Sequence, residues 1–151
     1  AVELIHSVDS PELMDAISRR AVSLGTVQDV LLEVNIGGEA SKSGVSPDGL
    51  EALLAHAALC PGLCVKGLMT IPPAVSAGEE NRWYFRRMYE LFVDIRRKTY
   101  DNVTMAELSM GMSGDYEEAV RCGATIVRLG TALFGPRNYD LQEAPPYGTI
   151  G

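Results

Sequence analysis

The sequence has 151 residues, of which 46% are hydrophobic and 22% charged, a composition typical of one folded globular domain. Its formal net charge of -7 disfavours nucleic acids and anionic membranes as partners, because both are themselves negative. No apolar run reaches the roughly 18 residues of a membrane-spanning helix, and the first ten residues lack the features of a signal peptide. We expect a cytoplasmic protein with one domain over residues 1–151, in which residues 138–151 form a C-terminal tail.

The cysteine count indicates free thiols. Cys60, Cys64 and Cys122 are odd in number, and the spacing of the first two lacks the second pair and the histidines that a zinc site of this type needs. We therefore expect three reduced cysteines and no metal site.

The first half of the chain reads as strand, helix, strand, helix. Residues 3–9 alternate like a strand, and Ser10 followed by Pro11 then predicts a helix that stops at Gly25. Residues 29–35 predict a second strand. After a loop rich in Gly and Ser, a second Ser-Pro pair opens a helix predicted over residues 46–60.

The second half repeats this alternation. A third strand is predicted over residues 63–73, and a long helix follows over residues 79–98. A fourth strand at 106–112 and a short helix at 115–122 precede the last strand, "TIVRLG", at 125–130. The apolar stripe of the long helix is predicted to contain Phe85, Met88, Phe92 and Ile95.

Regular alternation of strands and helices predicts an α/β fold with a parallel sheet. No Gly-rich dinucleotide fingerprint follows a strand, which favours a (β/α)8 barrel of the TIM type over an open doubly wound sheet. Such a barrel takes about 250 residues, so about five strands in 151 residues predict its second half, with outer helices and the N-terminal strands missing. We expect the partner to be that missing half, or a second copy of the chain, because open sheet edges are avoided.

An arginine within the apolar last strand needs an explanation. Residues two apart in a strand point to the same side, so Val127 and Leu129 suit the face that packs on helices and Arg128 faces the barrel interior. A buried guanidinium needs an acceptor, which could be a carbonyl, a ligand atom or a carboxylate such as Glu33 or Glu107.

Two segments near the ends of the last strands have the residue types of a phosphate site. Gly130 and Thr131 follow Arg128, and a small-residue segment precedes the short helix, whose N-terminus presents unpaired N–H groups. Two other interpretations remain open: Ser113 or Asp115 is simply the N-cap of that helix, and Gly130 simply begins a turn. The small residues of the segment are Ser109, Gly111, Ser113 and Gly114.

Three segments in this order resemble the pyridoxal-phosphate homeostasis proteins, single-domain barrels related to the N-terminal domain of alanine racemases. The segments are "ASKSG" (40–44), "VKGLMTIP" (65–72) and "ELSMGMSGDYEEAVRCGATIVRLGTALFG" (107–135). The resemblance covers nearly the whole chain. It implies a non-catalytic carrier or regulator that binds pyridoxal 5'-phosphate (PLP) at the C-terminal mouth of the barrel.

The resemblance also implies roles for individual residues. The loop from Ser109 to Ser113, which includes Gly111 and Met112, resembles the phosphate cradle together with the pair Gly130 and Thr131. Arg128 resembles the group that faces the pyridine nitrogen, where a cation discourages protonation and weakens the ring as an electron sink.

The sequence departs from the family in one respect. The family's Schiff-base lysine, on the first barrel strand, has no counterpart here, and neither Lys42 nor Lys66 matches its position. We expect this to reflect a chain that begins within the fold. A PLP-dependent enzyme similar to amino-acid racemases, or another phosphate-binding barrel enzyme, remains an alternative.

Three further polar residues lie on predicted strands. His6 on the first strand is expected to be a satisfied core or rim histidine. Glu33 and Asn35 share one face of the second strand and are candidates for the mouth of the site.

Overall fold

The structure, a computed structural model, describes residues 3–39, 43–73 and 79–128. Five strands form one sheet in the order of the sequence, and all neighbouring strands pair in parallel. The strands are β1 (Ile5–Val8), β2 (Gln28–Glu33), β3 (Leu63–Met69), β4 (Val103–Met112) and β5 (Ile126–Arg128). The helices are α1 (Pro11–Ser23), α2 (Leu50–Ala57), α3 (Glu79–Arg96) and α4 (Tyr116–Arg121). None of these helices combines the length and the apolar character needed to cross a lipid bilayer.

The core lies between the sheet and the helices. Alternate residues of the inner strands, such as Val30 and Leu32, are completely buried and pack with apolar residues of the helices. The predicted stripe of α3 is confirmed, because its four members are all buried in this core: Phe85, Met88, Phe92 and Ile95.

The two Ser-Pro pairs open their segments differently. Ser10 caps α1 as predicted, since its Oγ accepts from the N–H of Leu13 at 3.2 Å. The second pair instead starts a 3-10 turn over Pro47–Gly49, and α2 begins only at Leu50. The helix predicted over 46–60 is therefore shorter at both ends. Pro61 keeps Cys60 out of a helix, because the residue before a proline avoids helical backbone angles, but α2 already ends at Ala57.

The strand β3 departs from simple alternation. Its register against both β2 and β4 shifts after Val65, and a Cβ on Gly67 would overlap the carbonyl oxygen of Glu107 on β4. Only glycine allows the two backbones to approach this closely. After this shift, β3 pairs again in regular register with both β2 and β4 up to Met69.

We predict that Gly67→Ala lowers the free energy of unfolding by about 1–3 kcal/mol, because the new methyl group meets backbone that cannot move aside. Gly114→Ala is the matched control, since a Cβ there meets nothing within 4 Å, and we expect a change within about 0.5 kcal/mol. Denaturant titration of the intact protein measures both values. Equal stability of the two variants would contradict the close approach.

Candidate functional site

Arg128 ends β5 and turns away from the helices. Its neighbour Val127 packs against the core on the helix side, whereas the guanidinium reaches back across the neighbouring strands. Nη1 donates to Oγ of Ser109 on β4 at 2.9 Å, and Nη2 donates to the carbonyl oxygen of Thr70, directly after β3, at 3.3 Å. The predicted orientation is confirmed, and a carbonyl is one of the acceptors that the sequence suggests.

Both partners of Arg128 are fixed by hydrogen bonds of their own. The N–H of Thr70 donates to the carbonyl oxygen of Ser109 at 3.0 Å, and its Oγ1 donates to the carbonyl oxygen of Val34, just after β2, at 2.6 Å. Thr70 and Ser109 are completely buried. We call the four residues Val34, Thr70, Ser109 and Arg128 the Arg128 clamp. They connect the carboxyl ends of four successive strands, β2 to β5.

Sequence reasoning missed Thr70, although the available signal was its place in "GLMTIPP", where a hydroxyl residue directly follows an apolar strand. A carboxyl-end position of a parallel strand is where functional groups collect in this class of fold.

The charge of Arg128 is partly compensated by a carboxyl group that is not among its described hydrogen-bond partners. Burial lowers the pKa of the guanidinium, while the negative charge of Glu33 opposes that change. Glu33 is only 6% exposed, and its Oε2 accepts from Oγ of Ser43 at 2.9 Å. Glu107, the other acid considered, accepts from Thr125 at 2.8 Å instead. The clamp therefore holds a partly buried cation on neutral acceptors, and the charge of the buried Glu33 carboxyl group acts on it.

His6 on β1 faces this charge. Burial lowers its pKa, and the positive charge of Arg128 lowers it further, so the ring is neutral near pH 7. Its Nδ1 is buried and has no hydrogen-bond partner among the described residues. The expectation of a satisfied histidine is wrong for this atom, because satisfaction depends on neighbours from other strands that the local sequence does not specify.

The predicted phosphate segment covers the end of β4 and the turn that leads to α4. Gly111 has φ of 104°, and a Cβ there would lie 2.6 Å from Cβ of Ala119, so this end of the strand requires glycine. The N–H of Met112 donates to Oδ1 of Asp115 at 2.8 Å, and the Met112 side chain is exposed. Asp115 is the N-cap residue of α4 by position, although its side chain makes no capping hydrogen bond to the helix, and Ser113 lies exposed before it. The phosphate role of this segment stays a prediction.

The predicted site residues thus fall into three groups. Ser109 and Arg128 are in direct contact, whereas Gly111 and Met112 end β4 and Ser113 begins the following turn. Gly130 and Thr131, like Lys42 and the predicted tail, lie outside the described residues. Asn35 closes its own loop, because its amide donates to the carbonyl oxygen of Glu39 at 2.7 Å and accepts from the N–H of the same residue.

A cleft of about 350 Å³ lies between α3 and α4, and Ser113 and Gly114 of the turn line part of it. Both of its arginines are already paired, Arg82 with Glu118 at 3.0 Å and Glu79 at 3.2 Å, and Arg121 with Glu118 at 3.4 Å. Asp115 and Glu117 also line the cleft. An excess of carboxyl groups disfavours a phosphate there, so the cleft is not the candidate anion site.

Residues 1–138 match the family model described as "Alanine racemase, N-terminal domain". The chain belongs to this family. The match confirms the predicted half of a parallel α/β barrel, since five consecutive parallel strands with helices on one side are what the structure shows.

Similar proteins from other organisms carry names or descriptions that refer to one cofactor. Over 138 residues the chain is 50% identical to the "Pyridoxal phosphate homeostasis protein" of Aquifex aeolicus (strain VF5), covering 91% of this chain and 60% of the relative. PipY of Synechococcus elongatus PCC7942 has been solved without PLP (TM-score 0.80, 34% identity) and with PLP bound (TM-score 0.76, 32% identity). Both comparisons cover 87% of this chain, and 61% and 60% of PipY. The chain thus spans about 60% of the length of these relatives.

We predict that Arg128→Met raises the pKa of His6 toward its ordinary value, because removal of a nearby cation makes the imidazolium form less unfavourable. Burial persists, so the pKa stays below the ordinary value. An NMR titration of the His6 ring in the intact protein measures the change. Arg128→Lys is the control that keeps the charge and should keep the pKa low, and an identical pKa in wild type and Arg128→Met would show that the two side chains do not interact.

Proposed function

We propose that this chain forms part of a PLP-binding site at the carboxyl ends of its strands, and that the protein is a carrier and regulator of this cofactor rather than an enzyme. The observation that carries the proposal is the inward-facing, hydrogen-bonded guanidinium of Arg128. The similarity to proteins named for pyridoxal phosphate homeostasis, and to PipY solved with PLP, supports the same cofactor.

The described residues fit the ring end of PLP. A guanidinium has five N–H donors and no acceptor, and the described contacts of Arg128 involve one donor each on Nη1 and Nη2. Arg128 is therefore suited to an acceptor such as an unprotonated pyridine nitrogen. The partnerless Nδ1 of His6 is a second buried polar atom at this place, and such atoms normally have a partner, which a bound ligand or water would supply.

Bound PLP supplies an electron sink whose strength depends on protonation of its pyridine nitrogen. Arg128 holds a positive charge that is not given up in proteins, so it donates a hydrogen bond there without transferring a proton. His6 supplies no proton either, because its pKa is lowered. The pocket therefore binds the ring in its less reactive form, which suits storage and delivery of the cofactor.

We assign the two ends of the cofactor to different residues. Ser109 is a positioning residue for Arg128, since its hydroxyl accepts the guanidinium hydrogen bond. The phosphate is assigned to the segment from Gly111 to Ser113, at the end of β4, and to Gly130 and Thr131. Met112 is the last residue of β4, and its N–H already donates to Asp115, so its part in the cradle is to shape the segment.

The covalent anchor is assigned to residues outside this chain. Lys66 and Lys98 are the described lysines, and Lys98 pairs with Glu51 at 3.5 Å rather than facing the clamp. Because the chain spans about 60% of its relatives, we propose that the remaining strands of the barrel and a lysine complete the site. A second copy of the chain is the alternative source of those strands.

We predict that Arg128→Met weakens binding of PLP and of pyridoxal alike, by roughly 10- to 100-fold, because a charge-assisted hydrogen bond to the ring is lost. Thr131→Val should weaken PLP by roughly tenfold and leave pyridoxal unchanged, because pyridoxal has no phosphate. Equilibrium dialysis of the intact protein measures all four affinities.

Unchanged affinities in Arg128→Met would contradict the ring assignment, and equal losses for both ligands in Thr131→Val would contradict the phosphate assignment. The carrier role is tested separately with the loaded protein, which should activate a PLP-dependent apo-enzyme and should racemise amino acids no faster than free PLP. A faster rate would favour the racemase-like alternative.

A further inference from the structure

A second group of chemically capable side chains lies on the helix layer, apart from the Arg128 clamp. Nε2 of His56 is 2.8 Å from Oδ1 of Asp15, and Sγ of Cys60 is 3.7 Å from the same oxygen. One donor atom from each residue lies within 4.8 Å of the other two. The group combines a nitrogen, an oxygen and a sulfur donor.

The fold holds these residues together through α1 and the end of α2. His56 lies in the last turn of α2, and Cys60 follows three residues after the helix ends, where its Sγ still reaches the carbonyl oxygen of His56 at 3.5 Å. Asp15 of α1 meets both side chains there. The segment after Cys60 is fixed on α1, because the N–H of Gly62 donates to Oγ of Ser18 at 2.9 Å. A Cβ on Gly62 would overlap the Ser18 carbonyl oxygen, so the two backbones touch.

We propose that Asp15, His56 and Cys60 form a Zn²⁺ site that fastens α1 to the end of α2. Imidazole, thiolate and carboxylate are the ligands that zinc takes, whereas Ca²⁺ and Mg²⁺ prefer oxygen alone. The expected absence of a metal site rested on the spacing of Cys60 and Cys64, but the structure pairs Cys60 with a histidine instead.

The observed separations are close to those of zinc ligands. Bond lengths of about 2.0 Å to nitrogen or oxygen and about 2.3 Å to sulfur place tetrahedral ligands roughly 3.3–3.5 Å apart. The oxygen-to-sulfur distance is already similar, and the oxygen-to-nitrogen distance has to open by about half an ångström.

Binding also changes the protons and the hydrogen bonds of the cluster. The ion replaces the hydrogen bond between His56 and Asp15, and the Cys60 thiol releases its proton to solvent. The side chains of His56 and Asp15 are 28% and 46% exposed, so water can enter the fourth position.

The test uses Co²⁺ as a spectroscopic probe in the intact protein without a histidine tag. We expect one Co²⁺ per chain, with visible bands of tetrahedral coordination and thiolate charge transfer in the near ultraviolet, and we expect Zn²⁺ to abolish both. Cys60→Ser should remove the charge-transfer band and weaken Zn²⁺ binding by more than about 100-fold. Loss of a residue that only supports a metal ligand typically weakens binding by about 10- to 100-fold. Cys122→Ser is the matched control, because that partly buried thiol lies outside the cluster.

A second variant avoids changing a buried residue. His56→Gln keeps an N–H donor for Asp15 but has no ring nitrogen to bind metal, so Zn²⁺ should raise the Tm of wild type and of Cys122→Ser but not of His56→Gln. Absence of the cobalt spectrum would overturn the proposal. So would a spectrum that persists unchanged in Cys60→Ser or in His56→Gln, and the cluster would then be a set of hydrogen bonds only.

Discussion

The guanidinium of Arg128 lies between the hydroxyl of Ser109 and the carbonyl oxygen of Thr70, and the character of the pocket depends on these two hydrogen bonds. A partly buried cation without acceptors is unfavourable, so the inward orientation of the side chain depends on the acceptors that β4 and the residue directly after β3 provide. The charge then acts on its surroundings, since it lowers the pKa of His6 while the carboxyl group of Glu33 opposes the cost of burial. The pocket is thus left with one fixed cation and a neutral imidazole.

The clamp consists of residues that lie in the strands of the parallel sheet or directly after them. Thr70 is held from one side by Val34 and from the other by Ser109, and these contacts lie directly after the paired segments of β2 and β3. The guanidinium is therefore positioned by a buried hydroxyl group on β4 and by a carbonyl oxygen directly after β3, both held by hydrogen bonds to the sheet. This matters for the proposed cofactor site, because a rigid donor placed at the ring nitrogen would keep that atom unprotonated.

Much of this could be predicted from local patterns. The strand-helix alternation, the stripe of α3 and the cap at Ser10 follow from periodicity and capping chemistry, which act over a few residues. The direction of Arg128 followed from the two-residue period of a strand. The resemblance of three segments to a known family then indicated the cofactor.

The remaining features depend on contacts between distant segments. The register shift after Val65 reflects the fit of β3 between two neighbours, and the unsatisfied Nδ1 of His6 depends on strands that pack around it. Asp15 lies 41 residues before His56, so no local spacing indicates that they meet. The need for glycine at position 67 is a further example, because it arises from the close approach of β4 and not from the residues next to Gly67 in the sequence.

The most direct measurement is the ¹⁵N chemical shift of the pyridine nitrogen in labelled PLP bound to the intact protein. If Arg128 donates to that nitrogen, the shift is that of an unprotonated pyridine near neutral pH, and Arg128→Glu moves it toward the pyridinium value because a carboxyl group favours the proton. A pyridinium shift in the wild-type protein, or one that does not respond to Arg128→Glu, would contradict this account.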